Sequence, residues 1–182
     1  MNKRKQKQKT SSKIVHAGHG NGVQDLLIKG FGLHQNGDLI SAGEIYAQIL
    51  KIQPLHFDAL HLSGLIAAKS EQFDIAESLI TKAISVNPNN APAYCNIGNV
   101  FLNQAKYDLA IQNYTKAVAL KPNYEEAFYS RGLAYQRLGN LNASQQDYQA
   151  ALLINPKHIG TLTNLGNTYQ LQKKYDEAIT WY

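Results

Sequence analysis

The sequence predicts an all-α fold of tandem helix-turn-helix hairpins stacked as an α-solenoid. Three observations carry the prediction. Pro54, Pro88, Pro122 and Pro156 lie 34 residues apart. Gly30, Gly64, Gly98, Gly132 and Gly166 keep the same 34-residue spacing, and one period shared by two unrelated residue types makes chance a poor explanation. Within each period apolar residues fall at helical intervals in two bursts, as in Tyr94, Ile97 and Phe101, then Tyr107, Ala110, Ile111, Tyr114, Ala117 and Val118.

Residues 1–22 come first and read as a flexible basic tail. Lys3, Arg4, Lys5, Lys7, Lys9 and Lys13 stand there without an acid, a local charge of +6 that leaves the rest of the chain at −1 against the total of +5. The remainder is close to neutral, which argues against a nucleic-acid surface on it. Six unopposed cations can bind anionic membrane or nucleic acid, but a solubilising role is the simpler one. Only Ile14 and Val15 are apolar together near the start, so a secretory leader is not expected, nor is a membrane span. With Cys95 as the single cysteine, no internal disulfide can form, and a reducing, cytoplasmic compartment is expected.

The array follows as repeats 23–56, 57–90, 91–124 and 125–158, with an incomplete fifth at 159–182. Each holds two amphipathic helices separated by a polar or small stretch such as Asn103 to Lys106. Asn87-Pro88 or Asn155-Pro156 ends the second helix, because proline disfavours helical geometry in the residue before it. Asn90 is placed to cap the next helix, with Pro92 tolerated in its first turn. A mid-helix glycine costs about 1 kcal/mol relative to alanine, so its recurrence implies a close helix approach in return. Ala42, Ala76, Ala110 and Ala178 serve the same end on the second helices, as do Ala83, Ala117 and Ala151. Leu33, Phe101, Tyr135 and Tyr169, with Tyr46, Tyr114, Tyr148 and Tyr182, fill the gaps. The first repeat departs from this pattern through Gly30 and Gly32 in one helix and the bulky Ile49 in the other, and Ser144 is a milder departure.

The run Tyr94-Cys95-Asn96-Ile97-Gly98-Asn99-Val100-Phe101 with Ala110, Tyr114, Ala117 and Pro122 resembles a tetratricopeptide repeat, and the resemblance extends over residues 23–182. It implies a right-handed superhelix whose first helices line a concave face that holds an extended peptide or partner protein. The places that face the groove in that family hold Cys95, Asn96, Asn99 and Asn103 in the third repeat. They hold Tyr129, Ser130 and Arg137 in the fourth, and Asn164 and Asn167 in the fifth. The lysine, asparagine and arginine clamp with which some members grip a terminal carboxylate is not matched, since Leu27, Phe31, Leu62, Pro92 and Asn96 occupy its places. Asn96, Asn99, Asn164 and Asn167 are instead similar to the asparagine ladder in the repeat arm of O-linked N-acetylglucosamine transferases, where amides hold a peptide backbone. Leu62 and Ser130 interrupt it here. A plainer role as solvated polar residues is the alternative.

Two function classes therefore compete. One is a protein-interaction scaffold; the other is the substrate-recruiting arm of a larger glycosyltransferase. The segment itself carries no phosphate loop, paired catalytic carboxylates or nucleophile with a base, so no enzyme and no cofactor is expected. His34 and His61 lack a third ligand for a metal, and Cys95 is a small groove-wall residue rather than a nucleophile. Asn113-Tyr114-Thr115 and Asn142-Ala143-Ser144 match glycosylation acceptors, which have no meaning without a secretory route. The unfinished fifth repeat implies a longer protein or self-association through a raw end.

Overall fold

The computed structural model describes residues 19–181, with side chains from Gly22 onward. The basic tail residues Lys3 to Lys13 and the predicted packing residue Tyr182 lie outside them. Every element among the described residues is an α-helix, and none is long and apolar enough to cross a membrane. The chain divides into two compact units, Met1–Pro54 and Leu55–Tyr182.

The first unit is one hairpin, α1 (His19–Gln35) and α2 (Leu39–Ile52). Asp38 caps α2 by accepting from the Ser41 amide. A Cβ on Gly30 would sit 2.7 Å from Cε1 of Tyr46 and 2.9 Å from Cγ2 of Ile45, so this glycine is what lets the two helices meet. Gly32 faces open space. Ile49, where the other repeats carry alanine, is fully buried and fills its place without strain in the backbone.

The second unit holds four hairpins. These are α3 (Phe57–Lys69) with α4 (Phe73–Val86), α5 (Ala91–Asn103) with α6 (Tyr107–Leu120), α7 (Glu125–Arg137) with α8 (Leu141–Ile154), and α9 (Ile159–Leu171) with the short α10 (Tyr175–Ile179). Each second helix also packs on the next first helix, α4 on α5, α6 on α7 and α8 on α9. Small residues govern the contacts. Ala76, Ala83, Ala110, Ala117 and Ala151 are wholly buried, and a Cβ on Gly64, Gly98 or Gly132 would lie 2.5, 2.6 or 2.8 Å from the side chain of Ile80, Tyr114 or Tyr148. Ile80 and the two tyrosines are themselves fully buried, and a side chain like Ile80 contributes about 1.5–3 kcal/mol by leaving water.

The punctuation works as predicted. Gln53, Asn87, Lys121 and Asn155 each precede a proline, and with φ of −131° to −136° and ψ of 87–90° they have left the helical region that proline disfavours in its predecessor. Asn90 caps α5 by accepting from the Ala93 amide at 2.9 Å. His56 and His158 do the same for α3 and α9 through Nδ1, a role that the sequence did not suggest.

Another 34-residue series appears only in the backbone. Gly37, Glu71, Ala105, Gly139 and Lys173 all have positive φ, between 57° and 83°. Each follows a first helix, and the next residue's amide reaches back to the carbonyl five positions earlier, as Gln72 does to Ala67 and Lys106 to Phe101. This is the left-handed closure of a helix C-terminus. Residue type hides it, since only two of the five are glycine.

Candidate functional site

The first helices of the second unit leave one face open, and the predicted groove residues fall into three groups on it. Asn96, Asn99, Tyr129, Asn164 and Asn167 are partly exposed, Asn103 and Arg137 are exposed, and Ser130 is buried at 7%. Cys95, also assigned to the groove wall, is wholly buried. Both are small side chains on first helices that touch, Cys95 on α5 and Ser130 on α7, and neither reaches the open face.

Where the same places hold larger polar groups, they bond. Asn96 Nδ2 donates to His61 Nε2 at 2.9 Å, and Asn164 Nδ2 donates to the Tyr129 hydroxyl at 3.2 Å. Burial lowers the pKa of His61 against the opposing pull of Asp58, so the ring is neutral and its Nε2 accepts. Tyr129 is held further by a perpendicular contact with His158, ring centres 5.1 Å apart, and by a tilted contact with Tyr148 at 6.0 Å. Gly160 keeps this corner open, since a Cβ there would meet His158 at 3.3 Å and the Tyr129 hydroxyl at 3.5 Å.

Asn99 is held from a different side. The hydroxyl of Tyr114, on the second helix of its own repeat, donates to Asn99 Oδ1 at 2.6 Å. In the fourth repeat that place is Leu133, and the corresponding Tyr148 hydroxyl donates instead to Gln136 Oε1 at 3.2 Å, whose amide continues to Thr168. Burial raises the pKa of both phenols, which stay protonated and able to donate. A second set of ties runs on the other helix ends, Gln104 to Asp74 at 3.3 Å and Gln172 to Asn142 at 3.1 Å. Asn96, Asn99 and Gln104 recur 68 residues later as Asn164, Asn167 and Gln172, so the third and fifth repeats carry one polar pattern and the fourth another.

The cysteine offers no nucleophile. Burial and the nearby Glu126 carboxylate push the Cys95 thiol up to about 12. His61 is bound to Asn96 rather than to a metal-binding partner, and no group of three or more metal-ligating side chains occurs among the described residues.

Sequence reasoning missed an ion pair between a half-buried arginine and a buried aspartate. Arg131 Nε and Nη2 each donate to an Asp147 oxygen at 2.7 Å, and Nη1 donates to Thr115 Oγ1 at 3.1 Å. Burial opposes the charged guanidinium, but the paired bonds to Asp147 outweigh it and raise its pKa. The signal was available, because Arg131 and Asp147 each immediately precede the facing pair Gly132 and Tyr148.

Models of the tetratricopeptide repeat match residues 57–90, 79–112 and 124–182, and a model described as a TPR repeat matches 104–139. No curated protein matches the chain. Among solved structures the chain is similar to MamA from Desulfovibrio magneticus, at 21% identity over 89% of this chain and 92% of that one, with a TM-score of 0.82. It is similar to PilF of Pseudomonas aeruginosa at 20% identity over 91% and 75% of the two chains, TM-score 0.81. YrrB, described as a TPR protein with an unusual peptide-binding site, matches at 20% identity over 89% and 87%, TM-score 0.74. At such identities the likeness is one of fold.

Proposed function

Since the chain is built of tetratricopeptide repeats, we propose that it is a protein-interaction scaffold that holds an extended peptide against the open face of its first helices. The observation that supports this reading most directly is the set of partly exposed asparagines, Asn96, Asn99, Asn164 and Asn167, on a face otherwise poor in charge. A side-chain amide has donors and an acceptor and so matches a peptide backbone whatever side chains the peptide carries. The solved relative with a peptide-binding site lends the same reading a precedent of fold.

The second reading, a recruiting arm of a glycosyltransferase, rests on the asparagine spacing alone, and none of the matched proteins named above is described as such an enzyme. The test of the first reading is the double variant Asn96→Ala with Asn164→Ala. Loss of the bonds to His61 and Tyr129 lowers stability by about 0.5–1.5 kcal/mol each, which leaves the helices folded. Peptide affinity is expected to fall at least tenfold in the same variant. Unchanged affinity would remove the groove as the binding site.

A further inference from the structure

An amide that is already bonded at one end presents the other. This simple fact gives the asparagines of the open face different roles. Asn96 and Asn164 each use nitrogen for an internal bond, to His61 and to Tyr129, which turns the amide oxygen outward. Asn99 uses its oxygen, held at 2.6 Å by the Tyr114 hydroxyl, which turns both N–H groups outward. We propose that the two kinds of place have opposite hydrogen-bonding polarity: the oxygens of Asn96 and Asn164 accept from peptide N–H groups, and the nitrogen of Asn99 donates to a peptide carbonyl. The inference rests on the scaffold reading above and adds the polarity with which the backbone is read.

The spacing suits an extended chain. Asn96 and Asn99 are one turn apart on α5, so their Cβ atoms are neighbours at about 5–6 Å. A residue in extended conformation turns its own N–H and C=O to the same side and can satisfy both at once. Asn164 belongs to the helix two repeats on. Successive first helices are in contact, α5 with α7 and α7 with α9. With axes about 8–10 Å apart, Asn164 lies about 16–20 Å from Asn96. That distance is about five to six residues of extended peptide at 3.3 Å each. The fourth repeat between them puts Leu133 at the place of Asn99 and adds no amide there. The partner is therefore an extended peptide segment engaged through its backbone at two points about six residues apart, with side chains free to vary between them.

Substitution by aspartate separates the roles without separating the charges. Aspartate keeps an acceptor at every place and has no N–H. At 96 and 164 it still offers oxygen to the peptide, and it keeps its internal tie because His61, as the other tautomer, and Tyr129 can donate to it. At 99 it still accepts from Tyr114 but has nothing to donate outward. The probe is a 12-residue peptide selected by the full chain from a random phage-displayed library and then labelled for fluorescence anisotropy. Asn96→Asp and Asn164→Asp are expected to bind it within about threefold of the unaltered chain, and Asn99→Asp to lose about tenfold or more. Helix content and melting by circular dichroism accompany each. Should Asn99→Asp fail to fold, Asn99→Leu, which installs the residue that the fourth repeat tolerates, must show the same loss. Equal losses at 96 and 99, or full binding by Asn99→Asp, would overturn the polarity while leaving the groove standing. A library that yields no peptide, or one whose affinity ignores the double alanine variant, counts against the groove itself.

Discussion

The third and fourth repeats are built on the same frame and differ in what they place upon it. In each, a glycine admits a tyrosine ring, Gly98 for Tyr114 and Gly132 for Tyr148, and a left-handed residue, Ala105 or Gly139, closes the first helix. The third repeat sets apolar Ile97 beside its glycine, buried at 4%, and has Asn99 to receive the tyrosine hydroxyl. The fourth sets Arg131 in the same place, answers it with Asp147 and has Leu133 where Asn99 stood. The lesson is that the frame depends on small residues at fixed places, whereas the neighbours of those residues are free to become core, ion pair or open amide.

Substitutions at the places where the two repeats agree or differ test this reading. The largest effect is expected where charge has replaced an apolar side chain. Arg131→Ala leaves the Asp147 carboxylate buried without its partner and should cost about 3–5 kcal/mol in a denaturant titration. Replacing both by leucine should return most of it, since repeats without the ion pair stack as well. A double variant no more stable than Arg131→Ala would mean that the pair holds the third and fourth repeats together by more than filling space.

Next come the glycines that the two repeats share. Gly98→Ala and Gly132→Ala each place a Cβ less than 3 Å from a buried tyrosine ring and should destabilise both repeats alike, by about 1–3 kcal/mol. In the first hairpin, Gly32→Ala meets nothing and should stabilise by about 0.5–1 kcal/mol through helix propensity. A loss on Gly32→Ala in thermal melts would contradict the open space assigned to it.

The turns test the hidden series. Gly139→Ala puts a side chain at φ of 82° and should cost about 1 kcal/mol. Ala105→Gly relieves the same strain at 57° but frees the unfolded chain, so a gain of at most about 0.5 kcal/mol is expected. Opposite signs for the two changes are the check.

The smallest effect is one of pH. His61 has a lowered pKa in the folded chain, so the unfolded chain takes up its proton first as the pH falls. The stability tied to neutral His61 is complete above the ordinary imidazole value of 6.5 and declines as the pH drops below it. His61→Tyr, which copies Tyr129 of the fourth repeat, should flatten that part of the stability curve. An unaltered slope between pH 7 and 5, measured by chemical denaturation, would place its origin elsewhere.

How much of this was legible beforehand follows from what each feature depends on. The proline stops, the Asn90 cap and the glycine contacts depend on residue type at a fixed register, and all could be named from the chain. The left-handed turn residues could not, because Glu71, Ala105 and Lys173 stand where glycine would have signalled them. Of the groove residues, Asn103 and Arg137 are exposed as the register suggests, whereas Ser130 and Cys95 are interior.

A helical array, its period and the small residues through which helices approach are written in the residues themselves, because close packing tolerates few substitutes at those points. Which polar side chains remain available was settled by the folded packing. Exposure and hydrogen-bond direction are properties of pairs of residues, here 35 or 15 positions apart: His61 settles Asn96, and Tyr114 settles Asn99. No single position in a chain carries that information until the fold has chosen its neighbour.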